Sequence, residues 1–148
     1  MEENKNGSTE IVVRGWCVKR GQVLVCRSKK YGHLFLPGGH VEFAEGARAA
    51  LAREWREEMH LDCRVGGLLG VSEQTYLSRG GTKTHEFSLV FSVACPAAKL
   101  ANPPAGVEGH ISFEWIPVAR LLQENVLPLA QTKALARWIR DGAGYVGG

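Results

Sequence analysis

The chain has 148 residues, of which 45% are hydrophobic and 22% are charged, and its formal net charge is +3. This length and composition are typical of one globular domain with its own core, and they exclude a fibrous or a largely disordered chain. The small positive charge is compatible with anionic substrates, but the sequence has no basic arm, so nucleic-acid binding is not expected.

Apolar segments and cysteines bear on the location of the protein. No apolar run approaches the length that crosses a bilayer, so no association with a membrane is expected. The cysteines lack CxxC or Cys/His ligand spacing and are expected to be reduced, mostly buried residues. They are Cys17, Cys26, Cys63 and Cys95. We therefore expect a cytoplasmic protein.

The first third of the chain predicts a tail and the start of a sheet. Residues 1–9 are polar and predict a disordered N-terminal tail. Two β-branched, apolar segments at 11–18 and 22–26 flank a Lys-Arg-Gly turn and predict a hairpin. Residues 27–32 form a basic loop by composition, which leads into residues 33–36 and then the glycine turn.

A sharp loop followed by a helix is predicted next. Pro37, Gly38 and Gly39 predict the loop, because glycine permits positive φ and close backbone approach. Residues 45–59 contain alanines, Leu51 and several Glu and Arg residues without a breaker, which predicts a helix over that range.

Three glutamates on this helix are candidates for metal binding. Glu54, Glu57 and Glu58 have i, i+3 and i+4 spacing, so their side chains lie on one face within about 5–6 Å of one another. Carboxylates crowded in this way favour a nearby cation, and Mg²⁺ takes oxygen ligands of this kind. The alternative is a solvated acidic face held by Arg53 and Arg56.

Strands and helices alternate in the remainder of the chain. The loosely alternating segment 61–76 contains glycines and predicts a kinked strand, and 86–95 is apolar enough for a central strand. A strand at 111–116, a short helix at 117–125 and a final helix at 128–140 follow. The apolar stripe expected on the final helix is Leu135, Trp138 and Ile139.

Two segments outside the helix carry further candidates. Residues 100–110 are rich in Pro and Gly and predict a loop, and such loops often carry functional residues such as Glu108. His85 and Glu86 begin the central strand, where they either face a cleft or lie on the surface.

Six residues match a known family signature: Gly39, Glu45, Arg53, Glu54, Glu57 and Glu58. Their spacing, Gly-x5-Glu-x7-Arg-Glu-x2-Glu-Glu, resembles the signature of the Nudix (MutT-like) pyrophosphohydrolases. The order of elements extends the resemblance over residues 10–141 and implies an α/β/α sandwich with a mixed β-sheet between helices, with 142–148 as a flexible tail. The chain departs from the family at His60, where Gly is usual, and at Trp55, usually aliphatic and here expected to pack against the sheet.

The resemblance implies a metal-dependent hydrolase acting on phosphoanhydride bonds. Mg²⁺, or Mn²⁺, would be held by Glu54, Glu57, Glu58, Glu108 and the carbonyl of Gly38. A bound cation lowers the pKa of its water, and either Glu58 or Glu108 would take the proton from that water.

Other residues receive roles from the same resemblance. Glu45 and Arg53 would pair to hold the loop against the helix, and Arg27 matches an arginine that contacts substrate phosphates. Tyr76 lies near the tyrosine of dinucleoside polyphosphate hydrolases, and with His85 it is a candidate for substrate binding. Glu114 competes with Glu108 for its role.

The expected substrate is a small nucleotide linked through a diphosphate, with (deoxy)nucleoside triphosphates ranked first. Dinucleoside polyphosphates, nucleotide sugars and ADP-ribose are alternatives, and a non-catalytic nucleotide-sensing module is an alternative of another class. All the metal-binding glutamates are present, which favours an enzyme. A homodimer is one alternative for the oligomeric state.

Overall fold

The computed structural model of the protein describes residues 7–77, 80–107 and 109–147. Within these residues there are ten strands, two α-helices and one 3₁₀ turn at Val118–Arg120. The helices are α1 (Ala47–Met59) and α2 (Leu129–Asp141). The strands are β1 (Gly7–Trp16), β2 (Val18–Lys19), β3 (Gln22–Ser28), β4 (Leu34–Phe35), β5 (Gly38–His40), β6 (Arg64–Leu77), β7 (Lys83–Ala94), β8 (Ile111–Pro117), β9 (Val126–Leu127) and β10 (Gly144–Gly147).

The larger sheet is mixed and has the order β10-β6-β7-β1-β5. Strand β7 lies in its centre, as its apolar sequence predicted, parallel to β1 and antiparallel to β6. The register of β6 shifts between Val65 and Leu68 and again before Gly70, which confirms the predicted kinked strand. The short strand β5 forms one edge of this sheet and leads towards α1.

The second sheet is built around β3. It has the order β2-β3-β4-β9, and β8 also pairs with β3 along its whole length. The hairpin predicted between 11–18 and 22–26 is therefore wrong for most of its length. Only Val18 and Lys19 pair with β3. Strand β1 belongs to the other sheet, because ten consecutive residues of β1 pair with β7.

Both predicted tails differ from the structure where residues are described. Gly7, Ser8 and Thr9 belong to β1 and pair with residues 83–85 of β7. Residues 144–147 form β10, which pairs in parallel with β6. Neighbouring strands supply backbone partners to these segments, which composition alone cannot show.

The helices lie over separate cores. Ala50, Leu51 and Trp55 of α1 are buried in a first cluster with residues of β1, β3 and β7. Leu135 and Trp138 of α2 are buried in a second cluster. This arrangement confirms the predicted α/β/α sandwich and the burial of Trp55.

Two details of the helices depart from expectation. The short helix predicted at 117–125 is a single 3₁₀ turn followed by further turns. Ile139 was expected in the apolar stripe of α2, but 49% of its surface is exposed. The core side of α2 is completed instead by buried polar residues, Gln131 and Thr132.

Candidate active site

The Pro-Gly-Gly loop places the backbone of β5 directly against α1. Gly38 has φ +155°, and a Cβ at this position would overlap the carbonyl group of Val13. A Cβ on Gly39 would lie 2.5 Å from Oε2 of Glu54, so the missing side chain makes room for that carboxylate. Both positions therefore require glycine.

The carbonyl of Gly38 is directed away from β1. Gly15 N–H donates to Pro37 and Val41 N–H donates to Ile11, which makes these the hydrogen-bonded pairs of the antiparallel ladder. Because carbonyl direction alternates along a strand, Gly38 and His40 present their carbonyls to the opposite side. Arg53 of α1 donates to the carbonyl of His40 at 3.0 Å, so that side faces α1.

Arg53 links the loop to the helix. Its Nε and Nη2 donate to the two carboxylate oxygens of Glu45 at 2.7 and 2.9 Å. The hydrogen bonds from Arg53 lower the pKa of Glu45 from 4.5 to about 2, and Glu45 in turn raises the pKa of Arg53. The pairing that the resemblance implied for these two residues is present.

The three helix glutamates differ in their surroundings. Nη1 of Arg53 donates to Glu54 at 3.0 Å and to Glu57 at 3.1 Å, so one cationic nitrogen lies between two carboxylates. The Glu57 side chain is 59% exposed, whereas Glu58 is 8% exposed. The backbone carbonyl of Glu58 accepts a hydrogen bond from Val107 of the 100–110 loop at 3.1 Å.

The donor set suits a hard divalent cation. Carboxylate and backbone carbonyl oxygens are the ligands that Mg²⁺ prefers, and Gly39 leaves the space in which the Glu54 carboxylate lies. Among the described residues, no three acidic, His or Cys side chains are close enough together to hold an ion as they stand. For three of these side chains to share one ion, their carboxylates would have to come closer together.

A cavity of about 540 Å³ lies next to this loop. Its volume is in the range of small-molecule sites. Its lining residues come from both sheets, the residue before β4 and the residue before α2: Arg14, His33, Phe35, Gln74, Thr75, Tyr76, Glu86, Leu127 and Pro128. Arg14 pairs directly with Gly38 in the β1–β5 ladder and donates to the Leu36 carbonyl at 3.3 Å, so the cavity joins the Pro-Gly-Gly loop.

Polar groups lie at both ends of this cavity. The Arg14 guanidinium packs 5.5 Å from the centre of the Phe35 ring at the end near the loop. Gln74 and Glu86 face each other across β6 and β7, and Gln74 Nε2 donates to Glu86 at 2.5 Å. Burial, followed by the nearby carboxylates of Glu86 and Glu10, raises the pKa of Tyr76, which keeps its hydroxyl protonated.

Several predicted site residues lie elsewhere. Arg27 donates two hydrogen bonds to Glu114, at 2.9 and 2.6 Å, and a third to the Gly32 carbonyl. Its neighbour Cys26 points into the core beneath α1, so Arg27 lies on the opposite face of β3 and is not brought to the carboxylates. The guanidinium of Arg27 is bonded to Glu114, and its contact with substrate phosphates stays a prediction.

The two substrate-binding candidates, Tyr76 and His85, lie in different places in the structure. Tyr76 lines the cavity, as expected of a substrate-binding candidate. His85 instead contacts Glu73 through its ring nitrogen and packs on Phe87, on the face of the sheet opposite to Glu86. Glu108 lies outside the described residues.

Sequence reasoning missed Arg14, Phe35 and Gln74 as lining residues of the cavity. One signal was available for Arg14, a charged residue inside an otherwise apolar β-branched segment. Phe35 and Gln74 carry no such signal, because their meeting depends on how the two sheets pack.

The comparisons with known proteins identify the family of the chain. The family model described as NUDIX domain matches residues 11–141. No match was found among curated proteins. The chain belongs to the NUDIX family, whose members are hydrolases that generally use divalent metals and act on phosphoanhydride bonds of small nucleotide substrates.

Solved structures show the same fold. The chain is similar to the MutT protein from Methanosarcina mazei Go1, with a TM-score of 0.73, 22% identity and coverage of 91% of this chain and 96% of that one. It is also similar to a UDP-X diphosphatase, with a TM-score of 0.64, 18% identity and coverage of 95% and 68%. An ADP-ribose pyrophosphatase from Streptococcus suis 89-1591 has a TM-score of 0.61, 10% identity and coverage of 94% and 98%. The last two names describe different substrates, so the shared fold does not determine the substrate of this protein.

No helix among the described residues is long and apolar enough to cross a membrane.

Proposed function

We propose that this enzyme is a Mg²⁺-dependent pyrophosphohydrolase of (deoxy)nucleoside triphosphates. The observation that carries the proposal is the cavity of about 540 Å³ lined by Arg14, which pairs with Gly38 of the Pro-Gly-Gly loop. A cavity with aromatic and apolar walls suits one nucleoside. Its phosphates would extend past Arg14 towards Gly38 and α1.

The carboxylates of Glu54, Glu57 and Glu58, the carbonyl of Gly38 and the carboxylate of Glu108 would hold Mg²⁺, or Mn²⁺ in its place. When bound, the ion would neutralise phosphate charge and lower the pKa of the attacking water. Arg53 and Glu45 brace the loop, since their two hydrogen bonds fix β5 against α1.

The remaining protein groups would move a proton and position the substrate. Glu58 is the first candidate for the general base because it is largely buried on the carboxylate face of α1. Glu108 is the second, because its neighbour Val107 donates a hydrogen bond to the Glu58 backbone. Arg14 would contact the phosphate nearest the nucleoside, since it lies opposite Gly38 in the ladder.

The proposal is tested by a Mg²⁺-dependent screen of nucleoside triphosphates, dinucleoside polyphosphates, nucleotide sugars and ADP-ribose, with products identified by mass. We expect nucleoside triphosphates to give the highest kcat/KM. A higher value for one of the other three classes would replace the proposed substrate with that class. Absence of cleavage of every compound would favour a nucleotide-sensing module.

The base is identified by comparing Glu58→Gln and Glu108→Gln with the parent. The variant that lacks the base should lose activity by roughly 10²–10⁴-fold and lose the acid limb of its pH–rate profile. Glu124→Gln is a matched control, because Glu124 interacts with Arg120 in a different part of the molecule. Turnover by Glu58→Gln at the parental rate would exclude Glu58 from this role.

We also propose a cytoplasmic location. All four cysteines are free, and this state is typical of reducing compartments. A homodimer is one alternative for the oligomeric state, and light scattering on the purified protein would measure it.

A further inference from the structure

The end of the cavity away from Gly38 carries polar side chains that the proposed hydrolysis does not use. Gln74 and Glu86 are directly opposed in the β6–β7 ladder, and both line the cavity. Gln74 Nε2 donates to Glu86 Oε2 at 2.5 Å, which fixes the orientation of the Glu86 carboxylate.

The Gln74–Glu86 pair lies at the distance from Arg14 that is expected for the base of a nucleotide whose phosphate contacts Arg14. Arg14 is paired with Val90 of β7, and Glu86 precedes Val90 by four residues on the same face. Four residues of strand correspond to about 13 Å. If the phosphates extend past Arg14, as the proposed function on which this step rests requires, the base reaches Gln74 and Glu86.

The base end of the cavity is rich in hydrogen-bond acceptors. A carboxylate offers about four acceptor positions, of which Gln74 uses one on Glu86. Glu10, opposite Glu86 in the parallel β1–β7 ladder, lies outside the cavity lining, and its carboxylate contacts His40 Nε2 at 2.9 Å. The remaining acceptor positions of Glu86 therefore favour a ligand that brings donors.

Among the common bases, guanine presents two adjacent donors, N1–H and the exocyclic amino group. Adenine and cytosine place a ring acceptor beside their amino group, and uracil and thymine place their single N–H between two carbonyl oxygens. A carboxylate can accept both hydrogen bonds from guanine, one on each oxygen, and no other common base offers this pair.

We propose that Glu86, oriented by Gln74, is a specificity-determining residue that selects guanine nucleotides by accepting hydrogen bonds from N1–H and the exocyclic amino group. Phe35, Leu127 and Pro128 line the same cavity and supply apolar surface for the base.

The test measures binding of nucleoside monophosphates by calorimetry, which does not depend on turnover. The parent protein should bind guanosine monophosphate about tenfold or more tightly than inosine monophosphate, which lacks only the amino group. Adenosine monophosphate should bind more weakly than guanosine monophosphate as well. Equal affinities for the guanosine and inosine compounds would overturn the proposal without any variant protein.

The variant Glu86→Gln tests the residue itself. Its carboxamide offers one acceptor and one donor in place of two acceptors, so the guanosine-to-inosine affinity ratio should fall to near one. Glu73→Gln is the matched control. Glu73 precedes Gln74 on β6 but lies on the other face of the sheet, where it bonds to Tyr145 and His85, so the ratio should be unchanged. A parental ratio in folded Glu86→Gln would show that the Gln74–Glu86 contact is only a cross-strand pair.

Failure of this inference is distinguishable from failure of the proposed function. Hydrolysis of all nucleoside triphosphates with equal kcat/KM, together with equal binding of the monophosphates, would overturn the guanine site and leave the hydrolase proposal standing. A clear preference for guanosine monophosphate without hydrolysis of any nucleoside triphosphate would overturn the hydrolase proposal and leave the guanine site standing.

Discussion

Gly39 lies between β5 and α1, where no side chain can be accommodated. A Cβ there would be 2.5 Å from one Glu54 oxygen and 2.7 Å from the other, so the carboxylate would have to move. We expect Gly39→Ala to reduce Mg²⁺-dependent kcat/KM by roughly 10²-fold, since small displacements of catalytic groups have effects of this size.

Gly46→Ala is the control for this prediction. Gly46 has φ −67°, and a Cβ there would meet no atom within 4 Å, so alanine fits without strain. Its activity should match that of the parent. Equal activity of both variants would mean that contact between the loop and Glu54 does not matter for catalysis.

Glu45 gives the protein a defined response to acid. Because Arg53 lowers the pKa of Glu45 from 4.5 to about 2, its stabilising contribution is complete above about pH 4.5 and is lost as the pH falls towards 2. Thermal unfolding measured between pH 6 and pH 2 should therefore show a smaller loss of Tm in Glu45→Gln than in the parent. Parallel curves for the two proteins would contradict the pairing.

Helix α1 ends at His60 in the left-handed conformation, with φ 54° and ψ 32°, and the His60 N–H donates to the Arg56 carbonyl. The departure from the family glycine therefore leaves the turn itself intact. A residue with a Cβ pays a steric cost in this conformation that glycine avoids.

We expect His60→Gly to raise the free energy of unfolding by about 1 kcal/mol, measured by chemical denaturation. His60→Ala keeps a Cβ and should give no such gain. A gain of the same size in both variants would show that the imidazole, rather than the backbone conformation, limits stability.

Across the whole molecule, the two helices are packed over different clusters. Leu51 of α1 and Leu135 of α2 are both fully or nearly fully buried, at 0% and 1% exposure. Each substitution by alanine should lower the free energy of unfolding by about 2–5 kcal/mol. Because the two residues belong to separate clusters, the loss of unfolding free energy in the double variant should equal the sum of the two single losses within about 0.5 kcal/mol. A larger deviation would indicate one continuous core.

Predictability differs between the parts of the site. The spacing of Arg53, Glu54 and Glu57 on a helix that starts after a glycine loop fixes which groups can meet, because helix geometry is local. The cavity was not predictable in this way. Arg14 and Glu86 are more than seventy residues apart in the chain, and they lie in the same cavity only because β1 pairs in parallel with β7.

Errors in the fold prediction have the same origin. The polar composition of residues 7–9 predicted a tail, yet β7 provides them with backbone partners. The local turn after Val18 predicted a hairpin with 11–18, yet β1 pairs with β7 and β5. The ion pair between Arg27 and Glu114 was also not predicted, because it depends on the pairing of β3 with β8.

By itself, the sequence determined the carboxylate helix, the glycine loop in front of it and the family to which the chain belongs, because these depend on residue types at short, fixed spacings. Only the tertiary structure decided which side chains enclose the cavity, that Arg27 pairs with Glu114 and His85 with Glu73, and that Gln74 and Glu86 meet at the end of the cavity. The physical reason is that strand pairing and sheet packing join residues distant in the chain, and alternation along each strand then assigns every side chain to one face.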